Sequence, residues 1–298
     1  MAPEKGIFQI MKIAAVHDPD GKIFGILEGE QFRALLAGGA PVRDLRQVIA
    51  LTAKGAGALA FASPRALDGV KLAAPVGPLA KNVICVGKNY YDHAQEFARS
   101  GVDQSGDKQE VPEQPVVFTK ATTALADPFQ EISASSDPTH SVDYEGELGV
   151  VIGRRARNVK RADALDHVFG YTIVNDLTAR TIQQRHKQWF LGKSLDGFCP
   201  VGPCLVTADE FGKPDAQELA TYVNGERRQF ARLRDMIFDV GATIAAVSAC
   251  VTLEPGDLIA TGTPAGVGIG FTPPRYLVPG DEVRVSIAGI GELTNRFV

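Results

Sequence analysis

The chain has 298 residues, of which 45% are hydrophobic and 22% are charged, and 31 Lys and Arg against 35 Asp and Glu give a net charge of −4. Ample apolar content with a small net charge excludes intrinsic disorder, and the even charge balance argues against nucleic acid or an anionic membrane as a partner. The longest apolar stretch, residues 240–253, is shorter than the ~20 residues of a membrane-spanning helix. Four cysteines without a C-x-x-C pair or a zinc-site spacing favour free thiols in a reducing cytosol, so we expect a cytoplasmic protein.

The first part of the chain predicts a small module. Two apolar runs, at 12–16 and 23–27, flank an Asp-Pro-Asp-Gly turn and predict a hairpin. Val42, Leu45, Val48 and Ile49 follow with the spacing of one helix face. A stretch rich in Ala, Pro and Gly over 62–78 indicates a connector, so we place an α+β module at residues 1–75 and a second domain at residues 76–298.

Beyond residue 82, short β-rich runs end at Gly, Pro or Asn, and Asn224-Gly225 is a strong hairpin turn. Helices are fewer, at 178–189 and 238–250. This pattern predicts an α+β fold, with a β-rich roll, barrel or sandwich and helices packed outside. The polar, Gly- and Ser-containing stretch over 94–114 predicts a long loop, either a lid or a plain flexible connection. The predicted strands cover residues 82–87, 115–119, 148–153, 170–175, 202–207, 220–223, 257–260 and 282–288.

Alternating carboxylates open one of these strands. Asp143, Glu145 and Glu147 would point to the same face of a strand. Like charges this close repel, and a hard cation such as Mg²⁺, Ca²⁺ or Mn²⁺ would relieve the repulsion. The alternative is a solvated strand face with surface ion pairs.

A second acidic position, Asp176, ends the next apolar run just before a predicted helix. It either caps that helix or adds a third carboxylate to a metal site. Arg180 and Gln183 share a face of the helix, where they could be solvated, and Lys193 after it could be a surface amine.

Two further motifs could take part in chemistry. His93 and Glu96 are one helical turn apart, which suits a general base oriented by a carboxylate but also occurs on ordinary helix surfaces. The Gly- and Thr-rich loop around Gly262 and Thr263 could bind a carboxylate or an oxyanion, or be a tight turn. No G-x-S-x-G motif is present, which argues against an α/β-hydrolase.

Taken together and in this order, the motifs resemble the fumarylacetoacetate hydrolase family over about residues 82–298. The resemblance implies a mixed β-roll domain, a homodimer and an Mg²⁺ or Mn²⁺ site. It is carried by the segments ICVGKNYYDHAQE, PVVFTK, DYEGELGVVIG, FGYTIVNDLTARTIQ, GKSLDGFCPVGP, GDLIATGTPAGVG and GDEVRVSIAGIGELTN.

The resemblance also implies roles for particular residues, while Asp143 fits the motif without being expected as a direct ligand. The implied metal ligands are Glu145, Glu147 and Asp176, the catalytic residues His93, Glu96 and Lys193, and the substrate-binding residues Lys120, Arg180, Gln183, Gly262 and Thr263.

These roles suggest the reaction. We expect first the hydrolysis of a C–C bond in a short 2,4-dioxo acid of the acylpyruvate or fumarylacetoacetate type, with a water activated by His93 and Glu96 and an enolate stabilised by the metal and Lys193. The alternative on the same site is an oxaloacetate decarboxylase or keto–enol tautomerase. A non-catalytic binding or scaffold protein is the alternative of another class, which would have no need of these residues together.

Overall fold

The computed structural model describes residues 11–100 and 111–298. Its helices are α1 (Leu45–Thr52), α2 (Tyr91–Arg99), α3 (Arg180–Arg185), α4 (Phe190–Lys193), α5 (Ala208–Phe211) and α6 (Val240–Cys250). Its strands are β1 (Lys12–Asp18), β2 (Gly21–Glu28), β3 (Gln31–Ala37), β4 (Ala40–Pro41), β5 (Ala60–Phe61), β6 (Arg65–Ala66), β7 (Leu72–Ala73), β8 (Val83–Gly87), β9 (Val116–Lys120), β10 (Leu125–Ala126), β11 (Glu131–Ile132), β12 (Val142–Asp143), β13 (Gly146–Ile152), β14 (Val168–Asn175), β15 (Thr178–Ala179), β16 (Cys199–Thr207), β17 (Glu218–Val223), β18 (Glu226–Arg232), β19 (Leu258–Ala260), β20 (Glu282–Ile287) and β21 (Gly291–Phe297).

A large mixed sheet takes its strands from residues 12–260, and its main path has the order β4-β3-β2-β1-β16-β14-β13-β19-β8-β9. Its central strands β13 and β14 are antiparallel and buried along their full length. Strands read as unbroken apolar runs when both faces are covered, which accounts for the sequences of these two.

A second sheet, β11-β21-β20-β17-β18, covers one face of the central strands. Leu148 and Val150 of β13 pack there in the same core cluster as Val285 of β20 and Ile244 of α6. Asp239 is the N-cap of α6, and its side chain accepts a hydrogen bond from the Ala242 N–H at 2.7 Å. The predicted α+β class is confirmed.

The strands before residue 75 belong to the large sheet and do not form one of their own. β1 pairs antiparallel with β16, with Ile13 opposite Leu205. Phe24 and Leu35 share a core cluster with Val151 of β13. The predicted hairpin is present as β1 and β2, while the boundary near residue 75 stays a prediction.

Two element predictions differ from the structure. The helix expected over 178–189 ends at Arg185, because Lys187 takes a left-handed backbone with φ 59°; residues 178–179 are strand β15, paired with β12. The predicted loop begins at residue 94, but in the structure α2 continues to Arg99. Ala94 and Phe97 are buried on this helix. Residues 101–110 of that loop lie outside the described residues.

Within residues 11–100 and 111–298, no helix combines the length and apolar character needed to cross a membrane.

Replacing Phe24 with Ala tests whether the first strands and the catalytic part unfold together. Phe24 is fully buried, and Phe→Ala in a core costs about 3–5 kcal/mol. We expect the unfolding midpoint in urea to fall equally by far-UV circular dichroism and by fluorescence of Trp189, the chain's single tryptophan. Phe230→Ala, at a side chain that is 49% exposed, is the matched control and should cost less than about 1 kcal/mol. A Trp189 transition that stays in place while the circular dichroism splits in two would show independent units.

Candidate active site

Three buried carboxylates meet where β13 begins and β14 ends. The register sets Gly146 opposite Asn175, so Glu145 faces Asp176, whose N–H donates to the Glu145 carbonyl at 2.8 Å. Glu147 lies two residues along β13, on the same face as Glu145. Carboxylate oxygens of Glu145, Glu147 and Asp176 lie within 4.8 Å of one another. None of the three side chains is appreciably exposed, so their charge has to be met inside the protein.

Two lysines meet part of that charge. Lys193 Nζ donates to Oε2 of Glu145 at 2.6 Å and to Oδ2 of Asp176 at 2.7 Å, bridging them. Lys120 Nζ donates to the other oxygen of Asp176 at 2.6 Å and to the Leu177 carbonyl at 2.9 Å. Asp176 therefore serves as an acceptor for two ammonium groups and does not cap α3, and Lys193 is not a surface amine.

Arg180 joins the cluster from the start of α3. It donates through Nη2 to Glu145 at 2.6 Å and through Nε to Asp143 at 2.9 Å. Its Nη1 lies 3.2 Å from Oε1 of Gln183. Both side chains are buried, so the solvated helix face considered for them is not what forms.

Asp143 stands apart from the three clustered carboxylates. Its oxygens accept from the N–H groups of Gly268 at 2.6 Å and Ile269 at 3.0 Å, in addition to Arg180. The single strand expected across Asp143, Glu145 and Glu147 is interrupted between β12 and β13. Asp143 instead ties the loop after β19 to α3.

The charges of the cluster do not balance. Arg180, Lys120 and Lys193 supply three positive charges against four carboxylates, Asp143 and the three clustered ones. Burial opposes ionisation of Glu145, yet Lys193 and Arg180 hold its pKa below the ordinary value.

Glu147 is the carboxylate of this cluster that has no lysine or arginine partner among the described residues. Burial, together with the charges of Asp176 and Glu145, raises the pKa of Glu147 well above its ordinary range. Burial lowers the pKa of Lys193, but Asp176 and Glu145 outweigh it and leave that pKa raised, so the ammonium stays charged at neutral pH. The three clustered carboxylates offer oxygen ligands, and the nearby cations do not neutralise them fully. Such a site fits a hard divalent cation.

His93 and Glu96 lie on α2 beside this cluster. His93 is 5% exposed, and its Nδ1 lies 3.4 Å from Oε2 of Glu96. The Glu96 carboxylate also accepts the Gly266 N–H, at 3.1 and 3.2 Å to its two oxygens. A Cβ at Gly270 would overlap Glu96 Oε1, so this approach requires glycine.

The loop with Gly262 and Thr263 is hydrogen-bonded to residues of β13 and β18. The Gly262 N–H donates to Oε2 of Glu147 at 2.7 Å. The Thr263 hydroxyl donates to the Gly146 carbonyl at 2.9 Å and accepts from Gln229 Nε2 at 2.8 Å. Gln229 was not identified from the sequence, since a single glutamine in a strand carries no signal. Contact of this loop with a substrate stays a prediction.

These groups surround a small cavity. Sequence reasoning identified its polar lining but missed Lys88 and the aromatic residues; the one available signal was that Lys88 directly follows a buried strand. Four predicted site residues are not among the lining residues: Glu96, Lys120, Asp176 and Gly262. The lining consists of Val86, Gly87, Lys88, His93, Phe97, Phe118, Glu145, Glu147, Arg180, Gln183, Trp189, Lys193 and Thr263.

The aromatic side of the cavity is built around Trp189. Its ring meets Phe97 and Phe118 edge-on, with centroid distances of 5.7 and 5.2 Å, a favourable arrangement for aromatic pairs. A Cβ at Gly87 would overlap the Trp189 ring, so glycine there lets the indole pack on the end of β8.

Comparison with known proteins identifies the family. The sequence model of the fumarylacetoacetate (FAA) hydrolase C-terminal domain matches residues 82–298. The chain belongs to the fumarylacetoacetate hydrolase family. It is 48% identical over 231 residues to oxaloacetate tautomerase YisK of Bacillus subtilis, covering 78% of this chain and 74% of that protein.

Two solved structures extend the likeness to almost the whole chain. A fumarylacetoacetate hydrolase of Exiguobacterium antarcticum is 40% identical with a TM-score of 0.77, covering 96% of this chain and 99% of the other. A 2-hydroxyhepta-2,4-diene-1,7-dioate isomerase of Mycobacterium marinum is 38% identical with a TM-score of 0.74, covering 97% and 98%. The predicted family and β-roll are confirmed, as is the expectation of an enzyme of this family.

Replacing Glu147 with Gln should weaken metal binding. The change keeps the size of the side chain but removes the anionic ligand. Replacing residues that only support metal ligands costs about 10–100-fold in affinity, so we expect a loss of at least about a hundredfold for Mn²⁺, measured by isothermal titration calorimetry. Glu131→Gln, at an exposed carboxylate, is the control and should bind as the parent does. Equal affinities for all three proteins would show that the cluster holds no metal.

The same substitution should stabilise the metal-free protein at high pH. Because the folded pKa of Glu147 is raised, the folded state binds more protons than the unfolded state above the unfolded pKa of about 4.3, and stability falls as pH rises from there to the folded pKa. The amide of the variant does not titrate and has no such loss, so we expect chelator-treated Glu147→Gln to melt a few degrees above the parent at about pH 8 and close to it near about pH 4.5.

Saturating Mn²⁺ should reverse the order at high pH, since only the parent binds it tightly. A melting difference that is constant across pH would contradict the assignment.

Proposed function

We propose that the protein is a divalent-metal-dependent oxaloacetate keto–enol tautomerase. The observation that carries the proposal is the buried carboxylate cluster of Glu145, Glu147 and Asp176 beside His93, in a chain 48% identical to an oxaloacetate tautomerase. The isomerase of Mycobacterium marinum supports the same class of reaction. The sequence motifs favour hydrolysis of a C–C bond, whereas the relatives favour tautomerisation.

Mg²⁺ or Mn²⁺ would be held by Glu145, Glu147 and Asp176. When bound, the cation would act as a Lewis acid that polarises the 2-oxo group of the substrate. Lys193 and Lys120 keep the Asp176 carboxylate oriented, and Arg180 does the same for Glu145. Preorganised ligands of this kind need little rearrangement on metal binding.

His93 would transfer the proton. Its Nδ1 faces Glu96, which leaves Nε2 to take a proton from C3 of oxaloacetate and return it to the oxygen on C2, giving the enol without net loss of atoms or charge. Glu96 in turn is fixed by the Gly266 N–H. A carboxylate that sets the orientation of a histidine is an established general-base arrangement.

Lys193 would act as a fixed positive charge. Its pKa is raised by Asp176 and Glu145 despite burial, so it does not serve as a base at neutral pH. On the cavity wall it can stabilise the negative charge that develops on the substrate oxygen during proton transfer. Arg180, Gln183 and Thr263 line the same cavity and are proposed to contact the substrate.

Hydrolysis of an acylpyruvate is the second candidate. It is supported by the 40% identical fumarylacetoacetate hydrolase and by the same histidine, which could take a proton from water.

The proposed enzyme is a homodimer in the cytoplasm. Sedimentation tests the oligomeric state, and cell fractionation tests the location.

Side-by-side assays separate the candidates. With Mn²⁺ present we expect the protein to accelerate the keto–enol conversion of oxaloacetate, followed by ultraviolet absorbance, and a chelator to abolish the effect. His93→Ala should reduce the rate by about 10²–10⁴-fold, the range for loss of a general base, while His186→Ala, at an exposed histidine, leaves it unchanged. Release of pyruvate from an acylpyruvate without acceleration of oxaloacetate tautomerisation would replace the proposal with hydrolysis.

A further inference from the structure

The loop after β19 is attached at three points to the segment that precedes β13. Asp143 accepts hydrogen bonds from the N–H groups of Gly268 and Ile269 at 2.6 and 3.0 Å. The next residue, Tyr144, donates its hydroxyl to the Gly266 carbonyl at 2.9 Å. Tyr144 is 1% exposed and its ring belongs to the main core cluster, so the hydroxyl is held in place by packing. The proposed reaction gives this tyrosine no role.

The same loop holds the pair of residues proposed to transfer the proton. The Gly266 N–H donates to both carboxylate oxygens of Glu96, at 3.1 and 3.2 Å. Gly270, further along the loop, lies so close that a Cβ there would overlap Oε1 of Glu96. The other oxygen, Oε2, lies 3.4 Å from Nδ1 of His93. The loop therefore positions Glu96, and Glu96 positions the imidazole.

Gly266 can hold Glu96 in place only if its own backbone is fixed. Its φ is 103°, a conformation that glycine adopts readily and other residues do not. A Cβ at this position would also overlap the Arg228 carbonyl. Because glycine has the greatest backbone freedom, its N–H could turn away from Glu96 unless a neighbouring group restrains it. The hydroxyl of Tyr144 supplies that restraint at the carbonyl.

We infer that Tyr144 is a positioning residue for the general base: by holding Gly266 it orients Glu96, which keeps the proton of neutral His93 on Nδ1 and leaves Nε2 free for the substrate. This inference rests on the proposed function and adds to it a residue that acts through the loop. Tyr144 is not among the residues that line the cavity. It directly precedes Glu145, so one short segment would place a metal ligand and, through Gly266, the base.

The test removes one hydroxyl and leaves the ring in the core. Tyr144→Phe is compared with Tyr171→Phe, because Tyr171 is also buried, at 2% exposure, with its ring 4.6 Å from that of Phe211. Tyr171 pairs with Val150, away from the carboxylate end of β14. Thermal melting checks that both variants fold.

Metal affinity separates this role from general support of the neighbouring metal ligand. Because Tyr144 is not a ligand, we expect Mn²⁺ affinity in calorimetry to stay within about twofold of the parent for both variants. A larger loss in Tyr144→Phe would show that the tyrosine supports the Glu145 segment as a whole, and it would overturn the inference.

The tautomer of His93 is the direct readout. The ring nitrogen that carries the proton is set by the hydrogen bond the other nitrogen or its own N–H makes, and ¹⁵N NMR of labelled histidine distinguishes the two forms. The chain has five histidines, and the His93 signals are those lost in His93→Ala. Spectra are recorded with Mg²⁺, at a pH where the imidazole is neutral.

We expect the proton on Nδ1 in the parent and in Tyr171→Phe. In Tyr144→Phe the ratio of the Nδ1–H to the Nε2–H form should fall by about 3–10-fold, the size of one neutral hydrogen bond. Glu96→Ala should lower the ratio at least as far. An unchanged ratio in Tyr144→Phe would overturn the inference.

Kinetics gives a second readout. For oxaloacetate we expect kcat of Tyr144→Phe to fall by about 3–10-fold with KM within about twofold. In a Glu96→Ala background the same substitution should change kcat by less than about twofold, because its route to His93 is already removed. Equal losses in both backgrounds would contradict a role through Glu96. Absence of oxaloacetate turnover in the unsubstituted protein would instead overturn the proposed function, and the tautomer ratio would still decide the role of Tyr144.

Discussion

The arrangement of the active site follows from one constraint: four carboxylates are buried at one end of two central strands, where water cannot solvate them. Each has to find a cation or a backbone N–H group within the protein, and the cost of failing is several kcal/mol per charge. The cations come from three elements and form ion pairs with the carboxylates: Arg180 from α3, Lys193 from α4 and Lys120 from the edge strand β9. The loop after β19 closes over Asp143 and Glu147 for the same reason. Within the part of the chain that the structure describes, Glu147 is left without a cation, and burial with the charges of Asp176 and Glu145 raises its pKa.

The rest of the fold buries β13 and β14 and holds them in register. β13 and β14 are covered on one face by the second sheet and α6, and on the other by the hairpin and helix formed by the first part of the chain. The first strands thus support the site without contributing to its lining, because β1 joins the large sheet through β16. A carboxylate cluster placed by a two-strand register is positioned more rigidly than one built on loops.

The sequence alone predicted the elements whose signal is local. Glu145 and Glu147 are found from alternation, Asp176 from its place at the end of an apolar run, and His93 with Glu96 from helical spacing. The sequence did not predict the break after β12, nor that Asp143 accepts hydrogen bonds from Arg180 and from N–H groups more than a hundred residues away. Lys88 and Trp189 were missed because one lysine after a glycine and one tryptophan form no pattern. Their roles arise only when separate segments meet around the cavity.

The contact between Gly87 and Trp189 gives this cavity an adjustable size. The indole occupies the space that a side chain at position 87 would take, and it forms much of the wall facing the carboxylates together with Phe97 and Phe118. A methyl group at position 87 would push the indole inward and shorten the room for a substrate tail, whereas a smaller residue at position 189 would lengthen it. For protein engineering, this pair offers a way to alter the range of acids accepted while the chemistry at the other end of the cavity is left alone.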